Sequence, residues 1–159
     1  MKAFNRELHD ETDLRARNAA KKLLEDSMYD VVDNPDIHGV DLFLYKKGVH
    51  VANIEVEIKF NWKSKTKFSF ENVNFLRRKE KYCRLPQPTL FIMFCPDLGQ
   101  YLTVTGDVVL DSPLEEVRNK YNSSGEMFRK IDLNNVIFNK IYKSIEELVW
   151  KINLIRQVK

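Results

Sequence analysis

Residues 54 to 59 read Ile-Glu-Val-Glu-Ile-Lys, and this hexapeptide restricts the fold more than any other stretch of the chain. A β-strand sends successive side chains to opposite faces. Ile54, Val56 and Ile58 then share one face and need a core, while Glu55, Glu57 and Lys59 share the other. Upstream, Asp41-Leu-Phe-Leu-Tyr forms a second arm, separated from the first by Lys46-Lys47-Gly48, so residues 41–59 predict a β-hairpin. The heads of Glu57 and Lys59 can meet over one point, and Asp41, opening the partner strand, can bring its carboxylate there. Glu55 lies one pleat back on the same face. It reads either as a ligand acting through water or as a surface residue near the hairpin end. Two carboxylates and an amine at one point form a site. The carboxylates can hold Mg²⁺, a hard ion that takes oxygen ligands and keeps several waters. The amine can position or activate a water, or neutralise charge on a phosphorane-like transition state.

Directly after the hairpin the charge turns basic. Residues 59–84 carry nine Lys or Arg against two Glu, a local +7 in a chain whose net charge is only +3. Clustering of this kind is an electrostatic footprint for a polyanion, here nucleic acid, although a basic stretch alone is also compatible with a solvated face. Trp62 among Lys63, Lys65 and Lys67 has the composition of a contact loop, in which lysines meet phosphates and a ring stacks or wedges; the other reading of Trp62 is a core cap. Residues 71–84 predict a helix, with Val73, Leu76 and Cys83 at helical spacing. Arg77, Arg78, Lys79 and Lys81 crowd one turn and repel one another unless a negative partner is present. Arg78 and Lys79 are the foremost contacts.

The rest of the chain reads as a single α/β domain over residues 1–159. Residues 5–28 predict a helix with Ala16, Ala20, Leu23 and Leu24 on one stripe. Asp13 falls on that inward stripe, where a lone charge needs a partner; a salt bridge to Arg17 is the alternative. Residues 29–33 predict a strand and 34–39 a turn, in which Asp36 is favoured for local backbone hydrogen bonds and His38 is a loop residue or a phosphate contact. Thr89–Cys95 is a continuous apolar run, the mark of a central strand covered on both faces. Strands follow at 100–105 and 108–110. Ser112-Pro113-Leu114-Glu115 has the pattern of a helix start, with the helix running to about residue 121. Short extended pieces at 126–133 and 136–138 precede a C-terminal helix from Ser144, whose stripe Ile145, Leu148, Val149, Ile152 and Ile155 packs on the domain or forms a dimer interface. Cys83 and Cys95 form no ligand cluster with the three histidines, which argues against zinc. With no secretory pattern in residues 1–7 and no apolar run near the ~18 residues of a membrane span, the expected location is a reducing cytoplasm with no membrane partner. The absence of a Gly-rich phosphate loop argues against nucleotide hydrolysis, and that of a Gly-x-Ser-x-Gly elbow against serine-type acyl transfer.

The arrangement of Asp41 in Gly39-Val-Asp-Leu-Phe-Leu with Glu57 and Lys59 in Ile54-Glu-Val-Glu-Ile-Lys resembles the PD-(D/E)XK nuclease superfamily, over roughly the first half of the chain. Pro35-Asp36, a literal Pro-Asp pair, is passed over because Asp36 sits in a turn while Asp41 opens the hairpin. The resemblance implies a restriction-endonuclease-like fold, a mixed central sheet flanked by helices. It implies a Mg²⁺-dependent deoxyribonuclease, with Mn²⁺ able to substitute. Asp41, Glu57 and the Ile58 carbonyl would then be metal ligands, assisted by an acidic residue of the first helix. Asp13 is the choice, with Asp10 and Glu11 as further candidates. Lys59 would position or deprotonate the attacking water. The size fits the junction-resolving or small endonuclease branches, which act as homodimers. The rival readings are a nucleic-acid-binding module that keeps the fold without the chemistry, and an interaction protein whose charged hairpin face meets solvent.

Overall fold

The protein is described by a computed structural model covering the backbone of residues 6–63, 67–119 and 122–158, with side chains at 11–63, 67–118 and 125–153. The predicted hairpin forms: β2 (Leu42–Lys46) and β3 (Val49–Ile58) pair antiparallel, and β1 (Asp30–Asp33) pairs with the outer side of β2. Lys47 and Gly48 both have positive φ, 51° and 78°, which is the two-residue turn whose twist matches antiparallel strands. The pairing steps from Tyr45↔His50 to Leu44↔Ala52, so Val51 is an extra residue, a bulge. Because of it, Val51 and Ala52 both enter the core.

The apolar run becomes β5 (Thr89–Phe94), buried at every position and parallel to β3. β6 (Tyr101–Thr105) and the short β9 (Ile137–Phe138) complete a mixed six-stranded sheet in the order β1-β2-β3-β5-β6-β9. Its two faces carry separate apolar cores. On one, α1 (Arg6–Leu23) and α3 (Ile141–Val158) cover Ile54, Val56, Ile58, Leu90 and Ile92. Ile145, Leu148 and Ile152 of α3 are buried there, so this stripe packs on the domain. On the other, Phe91, Met93 and Cys95 meet Trp62, Val73, Phe75, Val109 and Ile131. No described helix is long and apolar enough to cross a membrane.

Three sequence expectations are corrected. Residues 72–76 are not helical but form β4 (Asn72–Leu76), and only Arg77–Arg84 winds, as a 3-10 helix. Val73 and Phe75 alternate with Asn72 and Asn74, a period of two, and Asn is a poor helix interior. Residues 108–110 are helical, within α2 (Gly106–Asp111). Gly106 admits the close approach of the 3-10 helix: a Cβ there would lie 3.1 Å from the Cys83 Cα. Beyond α2, Ser112 caps its end rather than starting a helix, with its hydroxyl donating to the Val108 carbonyl at 2.8 Å. Residues 114–119 are instead β7 (Leu114–Asn119), paired with the long β8 (Asn122–Asp132). β8 also pairs with β4, giving a second sheet in the order β4-β8-β7.

Candidate functional site

The register Leu42↔Ile54 sets Asp41 opposite Glu55, on the sheet face away from α1 and α3. The closest carboxylate pair is therefore Asp41 with Glu55. Asp41 Oδ2 accepts a hydrogen bond from the Val56 N–H at 2.8 Å, which fixes its rotamer. Glu55 is only 8% exposed and hydrogen-bonds Asp41. Two carboxyl groups share such a bond only when one keeps its proton. Burial, then the contact with Asp41, pushes the Glu55 carboxyl up to about 9, while Lys79 opposes the shift. Glu55 Oε2 is buried and receives no hydrogen bond.

Glu57, one pleat further, faces two ammonium groups. Its Oε1 lies 3.2 Å from Lys59 Nζ and its Oε2 3.7 Å from Lys79 Nζ, all three side chains being about three-quarters shielded or more. Lys59 Nζ also donates to the Asn74 carbonyl at 2.7 Å, so β4 holds the lysine head in place. Thus the structure brings together Asp41, Glu55, Glu57, Lys59 and Lys79. Lys79 comes from the 3-10 helix, which lies against this face through Tyr82 and Cys83. Glu80 anchors that helix: its Oε1 accepts from Arg129 Nε at 2.6 Å, and the hydrogen bond to Arg129 draws the Glu80 carboxyl below its usual range. The Tyr82 hydroxyl donates to the His38 carbonyl at 3.3 Å, tying the helix to the 34–40 turn. Burial raises the Tyr82 phenol, and the charges of Glu55 and Asp41 raise it further.

Other candidates fall elsewhere. Asp13 is exposed on α1, whose buried stripe packs on the opposite face of the sheet; Glu11 is exposed too, and the Asp10 side chain lies outside the described residues. Ile58 ends β3 with its side chain in the core, whereas the carboxylate pair lies at the level of Val56, one pleat back. Asp36 is a turn residue, its Oδ1 accepting from the His38 N–H at 2.9 Å. Trp62 is corrected as a contact residue: it is 1% exposed, edge-on to Phe68 and Phe138, and its ring offers no free face. The exposed rings of this stretch are Phe60, at 71%, and Phe70. Phe60 directly follows Lys59, and the strand pattern gave no signal for it: its position continues the core face of Ile54, Val56 and Ile58, but β3 ends at Ile58. Lys63, Lys67, Arg77 and Arg78 are exposed, and Lys65 lies outside the described residues.

The donor set determines what the site can hold. Among the described residues no three His, Cys, Asp or Glu side chains come together in a group that could hold a metal ion. Two adjacent carboxylates with an unsatisfied buried oxygen fit a hard divalent cation that retains water and takes further oxygens from a substrate. Thiol chemistry is a poor fit, since burial pushes Cys83 up to about 12 and also raises Cys95. A cavity of about 950 Å³ opens between α1 and the start of α3; among the described residues its charged lining is Lys22, Lys140 and Lys143, without the carboxylates of the site.

No protein-family model matches the chain, and no characterised protein is similar enough in sequence to count as a relative.

Proposed function

We propose that this chain is a Mg²⁺-dependent deoxyribonuclease, with Mn²⁺ able to substitute, built on a restriction-endonuclease-like fold with a PD-(D/E)XK-type site. The observation that carries the reading is the Asp41–Glu55 pair, held together with the Glu55 Oε2 buried and unsatisfied. A protein keeps so costly an arrangement where a ligand completes it. Asp41 and Glu55 would hold the cation, Glu55 standing in for the Glu57 that the resemblance implies as a ligand, because the Glu57 carboxylate is taken up by Lys59 and Lys79. Once bound, it supplies a Lewis acid for the phosphoryl oxygen and charge for the leaving oxygen.

The remaining roles belong to the chain itself. Lys59, held by the Asn74 carbonyl and Glu57, orients the attacking water and faces the charge that develops on the phosphate. Glu57 keeps Lys59 and Lys79 together against their mutual repulsion. Lys79, with exposed Arg77, Arg78, Lys63 and Lys67, meets the DNA backbone. A part for Asp13 rests on the family resemblance alone.

The test is cleavage of a panel of supercoiled plasmid, linear duplex, single strand and four-way junction, each with Mg²⁺, Mn²⁺ or EDTA. Cutting that requires the divalent ion is the expected result. No cutting in any condition, with DNA binding that weakens steeply as salt rises, would replace the nuclease by a binding module that keeps the fold without the chemistry.

A further inference from the structure

A second concavity adjoins the carboxylates. It is a cavity of about 350 Å³ between the 34–40 turn, the hairpin and the 3-10 helix with the loop after it. That volume lies at the small end of the range for small-molecule sites, roughly 300–1,000 Å³. Val40, which lines it, is the residue before Asp41, and Phe43 and Asn53, which also line it, are paired with each other one pleat from Asp41 and Glu55 on the same sheet face. The cavity and the carboxylate pair are therefore contiguous.

Its walls are aromatic and its floor is polar. Phe43 and His50 lie with ring centroids 4.5 Å apart on one side, and Tyr82 comes from the other. Asn53, 1% exposed, is fixed beneath: its Oδ1 takes His50 Nε2 at 2.8 Å, and its Nδ2 donates to the Gln87 carbonyl at 3.2 Å. His50 Nε2 also faces the Ala52 carbonyl at 3.1 Å. Flanked by two acceptors, Nε2 carries a proton. The Lys81 ammonium sits 5.1 Å over the Tyr82 ring at the margin. Aromatic faces, amide groups and a cation at the mouth are what a planar heterocycle on a phosphodiester chain requires.

We propose that this cavity is a nucleobase subsite that receives one unpaired base next to the scissile phosphate. It follows that the preferred DNA is single-stranded or locally unpaired rather than intact duplex. A base within a duplex offers only its groove edges, because both faces are stacked, so a cavity with aromatic walls is reached only by a base that has left the stack. The inference rests on the nuclease reading for the word scissile. The pocket itself is tested separately.

The experiment uses the full chain and two cavity-filling variants, Leu85→Trp and Gln87→Trp, each checked for a wild-type melting transition. Two variants are used so that one misfolded protein leaves the other informative. The readout is the ratio of single-strand to duplex cutting with Mg²⁺, on strands of the same sequence. The wild type is expected to favour the single strand, and filling the cavity to lower the ratio by about tenfold, within what one stacked base is worth. A ratio unchanged in both variants, with cutting intact, overturns the subsite and leaves the nuclease standing. If the wild type cuts nothing, the nuclease reading fails, and fluorescence of a single strand carrying 2-aminopurine decides the pocket. Quenching by the wild type that is reduced at least fivefold in the variants supports a base subsite, and equal signals in all three proteins overturn it.

Discussion

Burying a carboxyl group whose second oxygen has no partner costs stability, and Glu55 is held in that state by its neighbours. Its folded pKa is raised, from 4.5 to about 9, so the folded protein keeps a proton that the unfolded chain releases. Stability from this group is therefore fully present below about pH 4.5 and is lost progressively as pH rises toward 9. Glu55→Gln, which cannot ionise, should raise the melting temperature in EDTA at pH 8 by roughly 2–8 °C, the equivalent of about 1–2 kcal/mol, and by less at pH 5. A variant that melts below wild type at pH 8 would show that Glu55 is not strained. Lys59→Ala should lower cleavage by about 10²-fold or more while DNA retention on a filter stays within about threefold, since Lys79 and the exposed arginines remain. Cleavage retained in Lys59→Ala would remove it from the mechanism. The sequence showed Glu55 on the charged face but not its pairing with Asp41. That pairing follows from the two-residue turn at Lys47-Gly48 and the bulge at Val51, which counting alternate residues passes over.

At the scale of elements, the hairpin and the fully buried β5 were legible because each repeats its pattern over enough residues to leave one reading. The segment 72–84 was not. Its apolar residues satisfy both a helical and a strand period, and the strand wins through a partner distant in sequence, β8, paired from Asn72↔Asp132 to Leu76↔Phe128. The same pairing removed the helix expected after Ser112, because β7 completes that sheet. The basic segment winds over fewer residues than expected, with Arg77 and Arg78 exposed on the 3-10 helix, and the DNA contact proposed for them has a direct test. Arg77→Ala and Arg78→Ala should each lower the slope of log binding constant against log salt by about 1 if each side chain meets one phosphate. Salt titrations of DNA binding that superimpose on wild type would place the DNA on another face.

At the scale of the whole molecule, the mixed sheet separates two tasks. The face toward α1 and α3 is apolar and holds the fold together. The other carries the carboxylates at one end of its own core, where β4 and the 3-10 helix bring in Asn74, Lys79 and Tyr82. The composition and the hairpin pattern made an α/β domain legible, but the second sheet was not, since its β4 pairs with β8 across more than fifty residues. The basic residues cluster in sequence at 59–84, a local +7 in a chain of net charge +3, which is the charge pattern the proposed polyanionic substrate calls for. The measurement that tests this account most directly is Mg²⁺-dependent DNA cleavage by wild type and Glu55→Gln side by side, with folding of both confirmed by melting. The account predicts cutting by the wild type that EDTA abolishes, and at least a hundredfold loss in a well-folded Glu55→Gln. Glu55→Gln cutting at the wild-type rate would contradict it.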